Sequence, residues 1–220
     1  MVIIKVSGGV CYEKILSVLF LGVICLFIVG SSLNTRQALG VTEENIVEDI
    51  SEKLIRFHVL ANSDSDIDQD LKLRVKDEVL KYISPILNES QSLEESREIL
   101  KREDKNIIKI AEDYIKSQGF DYTVETTLAR ENFPVKEYGN IVLPQGEYEA
   151  YRILIGEGKG QNWWCVMFPP LCFIDVTKGQ VAYDETEKKM KDVLSEEEFK
   201  SVNKKENNVN FEFKVIDLFK

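Results

Sequence analysis

Histidine is almost absent from this chain: 220 residues contain one, His58. A centre built on several imidazoles is therefore excluded, His-rich zinc sites among them. Cysteine is scarce as well, and four are too few for a disulfide-dense scaffold of this length. Five prolines and twelve glycines exclude a collagen-like or low-complexity chain. Positive charge is in deficit, with 28 Lys and Arg against 38 Asp and Glu for a net charge of −10. A general nucleic-acid binder would show a basic footprint instead, so no nucleic-acid partner is expected. Hydrophobic residues make up 44%, enough for a sizeable core in one domain or two small ones.

The averages conceal an uneven distribution. Ile15 to Gly30 reads ILSVLFLGVICLFIVG, with no charge and with Ser17 as its one classically polar residue. A core helix apolar all round would sit poorly at the end of a polar chain, so the run reads as membrane-directed. It is short for a spanning helix of about 20 residues and long for a signal core of about 7–15. Signal peptide and uncleaved anchor both remain open. Lys5 and Lys14 favour an inside N-terminus, weakened by Glu13. The remainder is expected on the far side of the membrane, where residues 31–220 carry 26 basic and 37 acidic groups, a net −11. The organisation expected is a signal peptide or anchor over 1–32, a juxtamembrane linker or early helix over 33–52, and an exported domain over 53–220.

Hydrophobic spacing outlines that domain. Leu54 to Leu60 fits a strand with Ile55, Phe57 and Val59 on one face. Ser65 and Asp68 have capping-box spacing ahead of a helix whose stripe is Ile67, Leu71, Val75, Val79 and Ile83. Pro85 predicts an end or kink near Ser84. Ser92 and Glu95 repeat the capping spacing, and the charged LKREDKN stretch predicts a break in the helix that follows. Phe120 to Leu128 alternates as a strand, 134–144 reads as loop with a short extended piece, and Glu147 to Ile155 is a further strand. GEGKGQN reads as a flexible hairpin connection to an apolar strand over Trp163 to Phe168, which Pro169 and Pro170 stop. Thr186 to Lys205 is predicted helical, and Val209, Phe211, Phe213 and Val215 form a closing strand pattern. Early helices and late strands predict an α+β fold with a mainly antiparallel sheet.

Several residues invite chemistry. Asp64, Asp66 and Asp68 alternate as in a calcium loop, but Gln69 stands where the loop needs Gly and Val75 where it needs Glu. Capping and first-turn charge account for these acids, and no metal or cofactor is expected. GEGKG matches neither phosphate-binding fingerprint. His58 and Cys165 suggest a Cys–His hydrolase, in which the ring deprotonates the thiol; His58 on the far side of its strand and Cys165 in a core are the alternatives. Cys165 and Cys172, with six residues between them including two prolines, are either a local disulfide or two buried thiols. NWWCVMFPPLCF is the densest aromatic segment beyond the N-terminal run, serving as core or as a binding hot spot.

Two blocks resemble a known family. LIRFHVLANSDSDIDQDLKLRVKDEVL, from Leu54 to Leu80, is similar to the N-terminal signature of stage II sporulation protein R. FPVKEYGNIVLPQGEYEAYRILIGEGKGQNWWCVMFPPLCF, from Phe133 to Phe173, resembles a second block of that family. The resemblance implies an exported signal of endospore-forming bacteria, delivered from the forespore into the space between the two membranes. It implies as partner a membrane-embedded aspartic protease of the mother cell, which processes the sigma-E precursor. No family catalytic residues carry over, so the chain is expected not to be an enzyme. Partner-contact or structural roles are expected for His58, Asn62, Asp64, Trp163 and Trp164, with Cys165–Cys172 holding a loop. A Cys–His hydrolase acting on cell-wall peptide or protein and a purely structural septal protein are the competing readings.

Overall fold

The computed structural model describes residues 43–174 and 179–205. The chain divides into two compact units, 1–45 and 46–220, and nearly all described residues belong to the second. The run Ile15–Gly30 and the strand pattern Val209–Val215 lie outside the described residues. Among the described residues no helix is long and apolar enough to cross a membrane.

In chain order the elements are α1 (Glu43–Ser51), β1 (Ile55–Leu60), α2 (Asp66–Leu87), α3 (Leu93–Ser117), β2 (Val124–Phe133), β3 (Lys136–Tyr138), β4 (Ile141–Leu143), β5 (Gly146–Ile155), β6 (Asn162–Phe168), α4 (Gln180–Lys191) and α5 (Glu196–Val202). The class is α+β. The main sheet has order β2-β5-β1-β6, and β3 pairs with β4 in a small ribbon of its own. β2–β5 and β1–β6 are antiparallel, whereas the central β1–β5 pair is parallel. The sheet is therefore mixed, which the strand spacing alone did not predict.

This order overturns the hairpin expected at GEGKGQN. β1 lies between β5 and β6, so residues 156–161 must stride over the C-terminal end of β1. The loop is held there by Lys159 N–H to the Asn62 carbonyl at 3.2 Å and Gly160 N–H to the Ala61 carbonyl at 2.9 Å. A Cβ at Gly160 would collide with the Ser63 backbone carbonyl. Gly156 has φ +58°, and a Cβ there would strike the Asn62 side chain.

Alternation sends the two sets of strand side chains to opposite faces. Ile55, Phe57, Val59, Tyr151, Ile153, Cys165 and Met167 form a core with the stripes of α2 and α3. Leu54, Phe133, Tyr148, Ala150 and Val166 form a second core with Ile50 of α1, the β3–β4 ribbon, Met190 of α4 and Phe199 of α5. Residues 46–51 thus belong to the folded unit.

Three helix predictions are corrected. α2 continues through Pro85 to Leu87, because buried Ile83 and Leu87 fasten its last turn to the core on either side of the proline. α3 runs unbroken from Leu93 to Ser117. Its charged LKREDKN stretch is accommodated because Asp104 faces the sheet, accepting hydrogen bonds from Tyr151 Oη at 2.8 Å and Thr126 Oγ1 at 2.7 Å. The segment Thr186–Lys205 is split, since Ser195 and Glu198 make a reciprocal capping box that starts α5 anew. The short extended piece expected within 134–144 is two short strands, β3 and β4, and the strand expected from Phe120 begins at Val124.

Gly160→Ala is expected to destabilise the fold by about 2–3 kcal/mol, since the obstacle is backbone and cannot swing aside. Gly119→Ala, at φ +85° with open space around it, is expected to cost only about 1 kcal/mol. Urea unfolding of the two variants side by side checks the ranking; equal losses would contradict it.

Candidate functional site

The Asn62–Asp64 turn and the 156–161 loop are built as one polar unit. Asn62 Nδ2–H and the Ser63 hydroxyl both donate to Asp68 Oδ2, at 2.9 and 2.6 Å. The Asp68 backbone N–H donates to Ser65 Oγ at 3.2 Å, capping α2. Burial would raise the Asp68 carboxyl, but hydrogen bonds from Ser63, Asn62, Tyr122 and Ser65 outweigh it and hold its pKa below the ordinary value. Across the gap, Glu157 N–H donates to Asn62 Oδ1 at 3.0 Å and Gln161 N–H to Asp64 Oδ1 at 2.7 Å. Lys72, buried on α2, donates to the Gln161 carbonyl at 2.8 Å and to Gln69 Oε1 at 2.6 Å. Two of the three acids that resembled a calcium loop are thus engaged by the chain itself: Asp64 fastens the loop and Asp68 fastens the turn.

The second cluster lies on the sheet face opposite α2 and α3. Arg56 and His58 share this face of β1. Arg56 is fully buried. Its guanidinium carbon lies 4.4 Å from the Phe133 ring centre, 4.7 Å from Tyr148 and 5.7 Å from Tyr138. Arg56 Nη2 donates to Tyr138 Oη at 3.1 Å. No carboxylate pairs with this cation among the described residues, and the π faces supply its counter-charge. His58 stacks flat on Trp164, with ring centres 5.0 Å apart, and Phe133 meets its edge at 5.2 Å. His58 Nδ1 contacts Asn162 Oδ1 at 3.0 Å. Glu131 bridges to the ring, with its Oε2 3.8 Å from His58 Nε2 and its Oε1 2.9 Å from Arg152 Nη1. Burial pushes the His58 pKa below its ordinary 6.5, despite Asn162 and Glu131, and the positive charges of Arg152 and Arg56 push the same way.

Trp163 and Trp164 stand opposite Val59 and His58 of β1. As neighbours on β6 they point to opposite faces. Trp163 packs edge-on against Phe57 at 5.8 Å beneath Lys76, whose Nζ is 4.7 Å from the indole centre. Both indoles are partly buried. Cys165 and Cys172 are joined by a disulfide with Cα atoms 5.7 Å apart, which ties β6 to the Pro169–Pro170 turn. Cys165 faces the α2–α3 core and His58 the other side, so the ring cannot deprotonate that thiol in this fold.

Of the residues singled out in the sequence, His58 and Trp164 lie stacked together, while Asn62 and Asp64 share the turn that fastens the 156–161 loop. The sequence reading placed Trp163 beside them as well. It did not single out Arg56, Glu131 or Arg152. Strand alternation was signal enough for Arg56, which sits two positions from His58. Glu131 and Arg152 belong to other strands, and only register brings them alongside.

A model of the family described as Stage II sporulation protein R matches residues 51–178. Stage II sporulation protein R of Bacillus subtilis (strain 168) is 41% identical over 139 residues, covering 63% of this chain and 62% of the relative. The match therefore spans less than two thirds of that relative's length. No solved structure matches the chain. The matched span contains both polar clusters and β6, but neither α4 nor α5.

Because His58 has a lowered folded pKa, the unfolded chain binds that proton more tightly. The stabilisation is complete above the ordinary value of 6.5 and is lost as pH falls through it toward the folded value. Urea midpoints are expected to drop between about pH 7.5 and about pH 5.5. With a single histidine in the chain, His58→Gln is expected to flatten that slope while lowering stability throughout; an unchanged slope would assign it elsewhere. Replacing Cys165 and Cys172 together by Ala is expected to lower stability by roughly 2–3 kcal/mol, the entropy of a short closed loop. Wild-type stability that is indifferent to reductant would contradict this.

Proposed function

The chain belongs to the stage II sporulation protein R family, and on that premise we propose that it is an exported signalling protein that activates a membrane-embedded aspartic protease. The protease is the mother-cell enzyme that processes the sigma-E precursor, and the signal reaches it in the space between forespore and mother-cell membranes. The apolar run Ile15–Gly30 supports export, as signal peptide or anchor. The single observation that carries the reading is the fate of the motif residues. In the two blocks that resemble the family, they are spent on holding a rigid surface, not on assembling a nucleophile with a base. Asn62, Asp64, Gly156 and Gly160 lock two loops together, and Cys165 is consumed by Cys172. The Cys–His hydrolase reading loses its geometry, because its two members occupy opposite sides of the sheet. Activation by such a ligand requires that it bind the active state of the protease more tightly than the inactive one.

Co-production of the full chain, the protease and the sigma-E precursor in a bacterium that does not sporulate is expected to yield processed sigma-E. Absence of processing, where a constitutively active protease variant still cleaves the precursor, would overturn the reading. Processing that persists in a Cys165→Ser, Cys172→Ser chain would reject the hydrolase as well.

A further inference from the structure

The outer strands of an open sheet each leave a row of backbone N–H and C=O groups unpaired, to be met by water or by more chain. In the main sheet those strands are β2 and β6. The edge of β6 is partly closed by its own continuation, since Leu171 and Cys172 N–H both donate to the Val166 carbonyl at 3.2 Å. The edge of β2 is not. The register Val124–Ile155, continued by one residue, sets Thr123 opposite Gly156, whose N–H donates to the Thr123 carbonyl at 2.9 Å. An antiparallel ladder alternates, so the odd-numbered residues of β2 bond to β5. The even-numbered residues from Val124 to Asn132 turn their N–H and C=O groups outward, and among the described residues no backbone partner reaches them. Ten residues is long for an edge strand, and neither a proline nor a bulge interrupts it.

The chain itself holds a matching segment. Val209, Phe211, Phe213 and Val215 alternate with Asn210, Glu212 and Lys214, the pattern of a strand with one covered face. Residues 206–220 lie outside the described residues, but the point from which they depart is fixed. Asn203 bridges antiparallel to Ile141, Lys204 N–H donates to the Asn140 carbonyl at 2.9 Å, and Lys204 Nζ lies 2.5 Å from Glu137 Oε2. Ile141 and Val202 share a core with Phe133, the last residue of β2. The chain therefore leaves beside the end at which β2 finishes, and a segment turning back from there runs antiparallel to β2. Residues 206–208 can bridge about 10 Å, and residues 209–215 extend about 23 Å, roughly two thirds of the length of β2.

We infer that residues 209–215 close the sheet as a fifth strand, hydrogen-bonded antiparallel along the outer edge of β2. Alternation puts Phe211 and Phe213 on one side of the sheet and Glu212 and Lys214 on the other. The edge is thereby denied to a second copy of the chain and to any other strand. This arrangement holds whether or not the chain activates a protease.

Full chain in detergent micelles is compared with the same chain ended at Lys205, by hydrogen exchange resolved to single amides. The ended chain should exchange the amides of Thr126, Leu128 and Arg130 at least about tenfold faster, while those of Thr127 and Ala129, bonded to β5, change by less than about twofold. Phe211→Pro with Glu212→Pro in the full-length chain should do the same, because one of the two N–H groups must face β2. A photo-crosslinking residue in place of Phe213 should join to residues 124–133 of the same chain. Even-numbered amides that exchange as fast in the full chain as in the ended one overturn the inference, as does equal acceleration of odd and even amides. A crosslink from position 213 to another element, or to β2 of a second copy, overturns it as well.

Discussion

The approach of one loop to one turn governs this fold. β1 is inserted between β5 and β6, two strands that follow each other in sequence. The chain between them must cross the end of β1 in six residues, Gly156 to Gln161. It can do so only by pressing its backbone onto residues 61–63, which leaves no room for a side chain at Gly160. Once that contact is made, everything near it is determined. The Asn62 amide serves the loop and Asp68 at once. The Asp64 carboxylate receives Gln161, and Lys72 closes the unit from α2. The turn that caps α2 and the loop that launches β6 are therefore a single structure, and β6 carries the aromatic and disulfide-bonded segment in a fixed register against β1.

That register decides the chemistry available on each face. On one side Phe57, Cys165 and Met167 disappear under two long helices. On the other, Arg56 and His58 meet aromatic rings contributed by four strands: Phe133, Tyr138, Tyr148 and Trp164. A guanidinium removed from water without a carboxylate would be costly. Three π faces and the Tyr138 hydroxyl offset that cost here, and the same burial pushes Tyr148 up to about 12. His58 gains a flat stack and a hydrogen bond at the expense of its proton affinity.

Much of this was legible one strand at a time. Alternation placed Ile55, Phe57 and Val59 together, and capping pairs located the starts of α2 and α3. What failed were inferences of adjacency drawn from order. Consecutive β5 and β6 looked like a hairpin, because nothing in GEGKGQN records that another strand lies between them. LKREDKN looked like a break, because the partners of Asp104 lie on β2 and β5. Pro85 looked like an end or a kink, and the helix does not end there, because the packing of Ile83 and Leu87 is not written in the local helix rules.

By itself the sequence determined the apolar run Ile15–Gly30, the α+β class, the apolar stripes and the family to which the chain belongs, since these depend on composition, local periodicity and long unspaced matches. Only the tertiary structure decided that β1 is central, that His58 and Cys165 cannot cooperate, and that β2 lies at the edge of the sheet. Those facts depend on strand order and register between segments as much as a hundred residues apart. Local propensities do not encode that pairing; here the close approach of Gly160 to the Ser63 backbone, where a Cβ would collide, limits which pairing can form.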